Sequence, residues 1–431
     1  MGIDNIIFGV VLLAALAFFG YNLGAIIQLI RGGKPYRPAA PLGFRFRSML
    51  RYAFGQQKMF DRPIVGLLHF FVYAGFIIIN LEMLEIVIDG LTGAHRIFLS
   101  FLSPSTYSVF ISIFEVLAVL VIVSCVIFLV RRNVLKIPRF HSPEMTRWPK
   151  LDANIILVTE IALMLAFLLM NASDRLLQLK GVSGYHPTGD FLVSHMLMPM
   201  LSSFSADQLV FLERFSWWGH IIGVLAFLNY IPYSKHLHIF LAFPNTYYIS
   251  DKPKGYFPSI PEITAEVKYM LNPEGPEPPI SEEPPLFGAR DVYDLTWKNL
   301  LDAFTCTECG RCTSECPANL TGKRLSPRKI MMDTRDRLEA LRFRPDAESH
   351  TLFPNYITAE EVLACNTCMA CVEVCPVGIN PLDIILKIRR HMVTDEGKAP
   401  SEWNLMFGNI ENNGAPWQFS PDDRAQWTAL V

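Results

Sequence analysis

The sequence predicts an all-α protein, a five-span transmembrane helical bundle followed by a cytoplasmic helical domain, and three observations carry that prediction. The first half of a 431-residue chain that is 51% hydrophobic holds five apolar runs of bilayer-spanning length or close to it. Beyond them helix-capping signals recur, and no alternating apolar pattern of a strand appears. Eight of the nine cysteines fall into two copies of one spacing, Cys306-x2-Cys309-x2-Cys312-x3-Cys316-Pro317 and Cys365-x2-Cys368-x2-Cys371-x3-Cys375-Pro376.

The apolar runs cover 6–30, 63–88, 107–130, 154–171 and 215–233, the fourth being the shortest. The first lacks the basic start and small-residue cleavage site of a signal peptide and is too long for one, so it is expected to stay in the protein. Residues 191–204 are too short to span and contain Pro199, which suggests an interfacial helix. Residues 1–245 are thus expected to form one membrane domain.

Lys and Arg in the short loops orient it. Residues 31–62 carry eight and residues 131–152 carry six, whereas 89–106 hold only Arg96 and 172–212 only Arg175 and Lys180. The two basic loops are expected in the cytoplasm and the amino terminus outside. An odd number of spans then delivers everything after Tyr233 to the cytoplasmic side of the inner (cytoplasmic) membrane. A net charge of −2 without a basic stripe gives no sign of nucleic-acid binding.

Residues 246–292, rich in proline and acid, read as an extended linker between the halves. A helical domain follows over 293–398. Leu295, Leu300, Leu301 and Phe304 make one face of a short helix, Ser326-Pro327 and Asn380-Pro381 are helix starts, and Thr358-x-x-Glu361 is a capping box. The tail, 399–431, reads as irregular.

Three thiolates within seven residues can wrap one iron–sulfur cube, while the fourth, set off by three residues and a proline, reaches the other cube. By that crossing rule Cys306, Cys309, Cys312 and Cys375 bind one 4Fe–4S cluster, and Cys365, Cys368, Cys371 and Cys316 bind a second. The competing readings are disulfides, which belong to small secreted chains, and zinc sites, which rarely use this run. Thiolate ligands also need a reducing compartment, in agreement with the loop charges.

Neutral imidazoles on neighbouring helices hold a b-type haem by ligating its iron from both faces. His69 lies in the second span, about 9 Å inside its cytoplasmic end at 1.5 Å per residue. His220 lies in the fifth span and His238 in its continuation, 18 residues apart and so on one face of an unbroken helix, with Pro232 between them. Depth pairs His69 with His238, and His236 is the alternative ligand. The bland reading of a membrane histidine is a packing hydrogen bond.

LLHFFVYAGF in the second span and WWGHIIGVLAFLNYIPYSKHLH in the fifth resemble the five-span cytochrome b subunit of respiratory nitrate reductase and of membrane-bound heterodisulfide reductase. CTECGRCTSECP and CNTCMACVEVCP resemble the iron–sulfur subunit of heterodisulfide reductase, a two-cluster ferredoxin. The nitrate reductase pattern has two second-span histidines three turns apart, each paired with one on the fifth span, and so two haems. Here the position ten residues after His69 is Ile79, followed by Asn80, so the resemblance implies one haem and leaves His220, the ligand of a second, without a partner. Fused relatives continue into a domain of CCG repeats, and GNIENNGAPW resembles the lead into it. The expectation is therefore that a separate cytoplasmic redox subunit, with such repeats, carries out the terminal chemistry.

The function expected is an electron-transfer subunit of a quinone-linked oxidoreductase, relaying electrons between membrane quinone and that partner. The alternative is a haem-free, membrane-anchored iron–sulfur adaptor or redox sensor. Glu115 and Glu160, deep in their spans, are candidates for proton exchange with a quinone, while Glu82 and Glu85 are expected to reach the outer interface. Cys125 reads as a small buried apolar residue. Lys323, Arg324, Arg328 and Lys329 read as a solvated helix face, with docking of an acidic partner as the functional reading.

Overall fold

The computed structural model describes residues 2–277, 286–343, 349–418 and 420–429. Among them the chain is helical, without a strand, apart from one parallel bridge between Lys34 and Thr296. In order come α1 (Ile3–Arg31), α2 (Leu42–Met49), α3 (Pro63–Thr92), α4 (Pro104–Leu129), α5 (Arg147–Leu179), α6 (Leu192–Leu201) and α7 (Ala206–Tyr230). Of these, α1, α3, α4, α5 and α7 are long and apolar enough to cross a membrane.

Local sequence explains their starts. Pro63 and Pro104 stand in first turns, where a missing N–H costs nothing. Ser103 accepts a hydrogen bond from the Thr106 amide at 3.2 Å, and Ser205 with Gln208 forms a capping box. The fourth span is much longer than its apolar run because charged residues at both ends are paired inside the fold. Asp152 accepts a hydrogen bond from Ser234 at 2.7 Å, and Asp174 accepts one from Arg96 at 2.9 Å. Helix α5 is the centre of the bundle, packed against α4, α6 and α7, while α1 leans on α3 and α7 and exposes Ile3, Ile6, Val10 and Leu13. The expected interfacial segment is α6, which packs on α4 and α5 with Ser194 fully buried.

After α7 the chain tightens at Ile231–Tyr233 and Lys235–Leu237, then forms α8 (His238–Tyr247) and α9 (Pro261–Leu271). The proline-rich segment thus contains a helix, while its residues 278–285 lie outside the described part. Next come α10 (Trp297–Thr305), α11 (Arg311–Ser314), α12 (Pro317–Leu320), α13 (Pro327–Phe343), α14 (Ala359–Leu363), α15 (Ala370–Glu373), α16 (Pro381–Arg390) and α17 (Ser401–Asn413). Thr358 and Glu361 form their capping box, and Asn380 accepts from the Asp383 amide at 3.1 Å. Contrary to an irregular tail, α17 forms because Pro400 precedes its first turn, Glu402 meets the positive end of the helix dipole, and Gly414 ends it in a left-handed turn.

The two halves share a core. Ile26 and Ile30 of α1, Ile231, Leu237 and Leu241 pack with Leu295, Leu300, Phe304, Ile330, Ile384 and Ile388. The loop after α1 is stitched to the chain before α10, Lys34 N donating to Leu295 O at 2.7 Å and Trp297 N to Lys34 O at 3.0 Å. Gly33 permits this approach, since a Cβ there would lie 2.6 Å from the Trp297 nitrogen. Both basic loops meet the cysteine half at this end of the bundle, Arg328 pairing with Glu144 at 2.6 Å and Arg62 with Glu315 at 3.4 Å.

Candidate functional site

The two cysteine runs fold alike. Glu308 and Gly310 in the first, and Thr367 and Met369 at the matching places in the second, have positive φ of 54°, 72°, 59° and 62°. Successive left-handed turns of this kind aim backbone N–H groups inward, which suits an anionic sulfur-rich group. Cys316, Cys365, Cys368 and Cys371 line one pocket enclosing about 310 Å³, counting its open mouth, walled by Leu325, Leu382 and Ile385. Cys306, Cys309, Cys312 and Cys375 line another of about 410 Å³, and Cys371 lies on the wall between them.

Among the described residues no three His, Cys, Asp or Glu side chains converge tightly enough to hold a single metal ion. The cysteines instead ring a space, as a ligand of several atoms requires. Burial pushes the thiols of Cys306 and Cys371 up to about 12 and that of Cys375 up to about 11, so an added cationic centre has to stabilise their thiolates. The Ile379 amide donates to Cys375 Sγ at 3.3 Å.

The structure brings His69 and His238 together, with ring centres 6.5 Å apart. Gln56, buried and left-handed at φ 47°, stands 3.1 Å from His69 Nδ1, and the Lys235 carbonyl stands 3.0 Å from His238 Nδ1. Both rings are therefore held by Nδ1, which leaves Nε2 of each available to a ligand. Burial lowers the His238 pKa against the pull of the Lys235 carbonyl, which keeps the imidazole neutral and able to ligate. His236 lies 5.6 Å from the His238 ring, with Nε2 3.9 Å from Glu160. The helix break at 231–237 removes the common face expected for His220 and His238, because α8 starts with its own phase. His220 is buried beside Phe167, with Nδ1 2.9 Å from the Leu163 carbonyl.

Sequence reasoning missed the residues that tie these groups together. Glu308, between Cys306 and Cys309, is ion-paired to Lys235 and to Arg335, the latter at 2.7 Å. Lys235 thus touches the first cysteine loop with its ammonium and His238 with its carbonyl. On the other side Arg311 donates to the carbonyl of Lys58, two residues beyond Gln56, at 2.8 Å, and Lys58 pairs with Glu373 at 3.5 Å. The αL turns and flanking charges were written in the sequence, but nothing local named their partners.

Two expectations are corrected. Arg328 is not part of a solvated face: it is fully buried, donating to Glu144 at 2.6 Å and to the Arg139 carbonyl at 2.6 Å, while Lys329 pairs with Glu361 at 3.0 Å. Glu82 and Glu85 do not reach the interface: both are buried at the end of the bundle away from the cysteines, Glu82 3.6 Å from Arg96 and Glu85 bonded to Tyr107 beside it, while Glu115, also buried, accepts from the Val193 and Ser194 amides. Arg96 donates to Asp174 at 2.9 Å, to Asn171 at 2.7 Å and to Tyr107 at 3.1 Å, and Tyr107 donates to Glu85 at 2.7 Å. A buried arginine draws the carboxylates inward because an unpaired charge there is costly. Cys125 is fully buried, as expected.

Residues 305–379, containing all eight paired-run cysteines, match the 4Fe-4S dicluster domain family. The whole chain is similar to iron–sulfur oxidoreductases. It is 26% identical over 98% of its length to the probable iron-sulfur-binding oxidoreductase FadF of Bacillus subtilis, covering 60% of that protein. It is 24% identical over 95% of its length to the EtfAB:quinone oxidoreductase of Syntrophomonas wolfei, covering 57% of it. A third of the chain, 33%, is 32% identical to 24% of a probable membrane-anchored ferredoxin of Chromohalobacter salexigens. The chain therefore spans about 60% of the length of the curated relatives it matches end to end. No solved structure matches it.

Proposed function

We propose that this chain is a cytochrome b–ferredoxin membrane subunit that relays electrons between membrane quinone and a cytoplasmic redox partner. The observation that carries the reading is the pairing of His69 with His238 at the end of the bundle that holds both cysteine sets. Two imidazole nitrogens each about 2 Å from one metal, on rings centred roughly 1.1 Å further back, put the centres about 6.2 Å apart. The observed 6.5 Å fits a metal held between them.

His69 and His238 would hold one b haem; Cys306, Cys309, Cys312 and Cys375 would hold one 4Fe–4S cluster, and Cys365, Cys368, Cys371 and Cys316 the other. When bound, these groups supply one-electron carriers, and the protein supplies distance, orientation and dryness. Gln56 and Lys235 fix the two imidazoles in the tautomer that ligates. Glu308, Lys235 and Arg335 clamp the first cysteine loop against the His238 turn, so the centres keep a constant separation. Cys368 is exposed, which makes the second set the natural exit toward the partner. His220 has its Nδ1 held by the Leu163 carbonyl and no second-span histidine opposite, so it acts in packing. The EtfAB:quinone oxidoreductase similarity supports quinone as the membrane-side reactant.

A pyridine haemochrome assay on the purified protein tests this. One haem per chain, lost in His69→Ala, is expected; zero haem with intact cluster absorption would leave the anchored-adaptor reading, in line with the ferredoxin relative.

A further inference from the structure

A cavity of about 540 Å³, counting its open mouth, lies where the cysteine half sits on the membrane bundle. Its floor is Pro232 and Tyr233, in the tight turn that follows α7, and its sides are Ile26 of α1 and Trp148 at the start of α5. Its roof comes from the cysteine half, with Phe304 of α10 and with Glu339 and Arg342 of α13. Helices α1 and α5, both long and apolar enough to cross a membrane, each pack on α7 and each line the cavity, through Ile26 and Leu29 and through Trp148. Trp148 on the cavity wall is 49% exposed, and an amphipathic ring of this kind suits the edge of the hydrocarbon.

Two polar groups converge at the inner wall. Tyr233 Oη donates to Asn22 Oδ1 at 2.8 Å, and Arg342 Nη2 donates to the same oxygen at 2.9 Å. Asn22 is itself buried, although it lies well inside a spanning helix. A side chain of the soluble half therefore reaches into the membrane half to meet a hydroxyl and an amide beside an aromatic-walled space. Phe304, on the roof, stands two residues before Cys306. Volume, flat aromatic walls and a few converging polar groups are the features of a site for a ring-shaped ligand.

We infer that this cavity seats the ring of a lipid-soluble quinone, which enters between α1 and α5 with its tail in the bilayer and its carbonyl oxygens toward Tyr233 and Arg342. The inference deepens the relay function and rests on it. It places the quinone next to the first cysteine set, on the basic-loop side, and away from the Arg96 network.

The test uses the full holoprotein in phospholipid nanodiscs with a short-tailed azidonaphthoquinone, photolysed and mapped by mass spectrometry, beside quinol-driven reduction of the iron–sulfur absorption. Label is expected on the peptides holding Trp148, Tyr233 or Arg342, with half-saturation raised at least tenfold in Arg342→Gln and in Trp148→Ala. Label elsewhere, or label insensitive to both substitutions, overturns the site. Label that falls away when the phospholipid headgroup alone is changed assigns the cavity to lipid and also overturns it. If labelling follows expectation while quinol reduces no centre, the binding site stands and the relay falls; if quinol reduces the centres while label lies elsewhere, the relay stands and the site falls.

Discussion

Glu144→Gln should loosen the junction between the membrane bundle and the cysteine half. Glu144 accepts hydrogen bonds from Ser326 at 2.6 Å and from Arg328 at 2.6 and 3.2 Å, and Arg328 is fully buried. Burial alone would raise the Glu144 pKa, but the Ser326 hydroxyl and the Arg328 charge bring it below the ordinary 4.5. Removing the carboxylate strands a buried guanidinium, a change that typically costs about 3 kcal/mol. That corresponds to roughly a hundredfold more frequent opening of the junction at 1.36 kcal/mol per decade. Hydrogen exchange of the 137–146 and 326–330 backbone in anaerobic holoprotein should accelerate by that factor at neutral pH. The pH dependence has a definite sign. A depressed folded pKa gives stabilisation that is full above the ordinary carboxyl value and is lost as pH falls through the lower folded value. The wild-type protection factor, exchange corrected for the intrinsic rate at each pH, should therefore fall toward the variant's as the medium is acidified below 4.5, while the variant's barely changes. Glu144→Gln combined with Arg328→Met should recover much of the loss, because no unpaired charge remains. Wild-type exchange rates in Glu144→Gln at pH 7 would refute the reasoning.

Other outcomes follow from the same contacts. His238→Ala should lose the b-type bands whereas His236→Ala keeps them, read by reduced-minus-oxidised spectra; the reverse result would exchange the two assignments. Cys316→Ser and Cys368→Ser should perturb the same paramagnetic cluster signal, and Cys375→Ser the other one, so a Cys375→Ser effect on the Cys368 signal would undo the crossed ligand sets. Gly33→Val should weaken the stitch between Lys34 and Trp297 by driving a Cβ to 2.6 Å from a backbone nitrogen, seen as faster proteolysis of 32–40. Reporter fusions after Arg51 should read cytoplasmic and those after Gly184 external, and an opposite pair of signals would invert the bundle.

The long-range contacts explain why parts of the site were illegible beforehand. Glu308 read only as a residue between two cysteines, and Lys235 as a charge beside a histidine. Their pairing crosses 73 positions of sequence. Asn22 and Arg342 are further apart still, and neither has a local pattern that anticipates the other. Arg328 looked solvated because its neighbours Lys323 and Arg324 are, yet the Arg139–Glu144 segment covers it. The extent of α5 was underread for a related reason: charged ends look like helix exits until their partners on other helices are known.

What the sequence determined alone are the features set by neighbours along the chain. Apolar length specified five spans, capping residues specified where α14 and α16 start, and the doubled cysteine spacing specified two sites with one loop geometry. Each follows from local free energies, such as lipid solvation over some twenty residues or a side chain bonding an amide three residues away. The tertiary structure alone decided that the halves share a core, that His238 starts a new helix near His69, and that the carboxylates of Glu82 and Asp174 turn inward to Arg96. These depend on which distant surfaces exclude water together. Burial and charge pairing act through space, and the chain records only the residues that will meet, not the meeting.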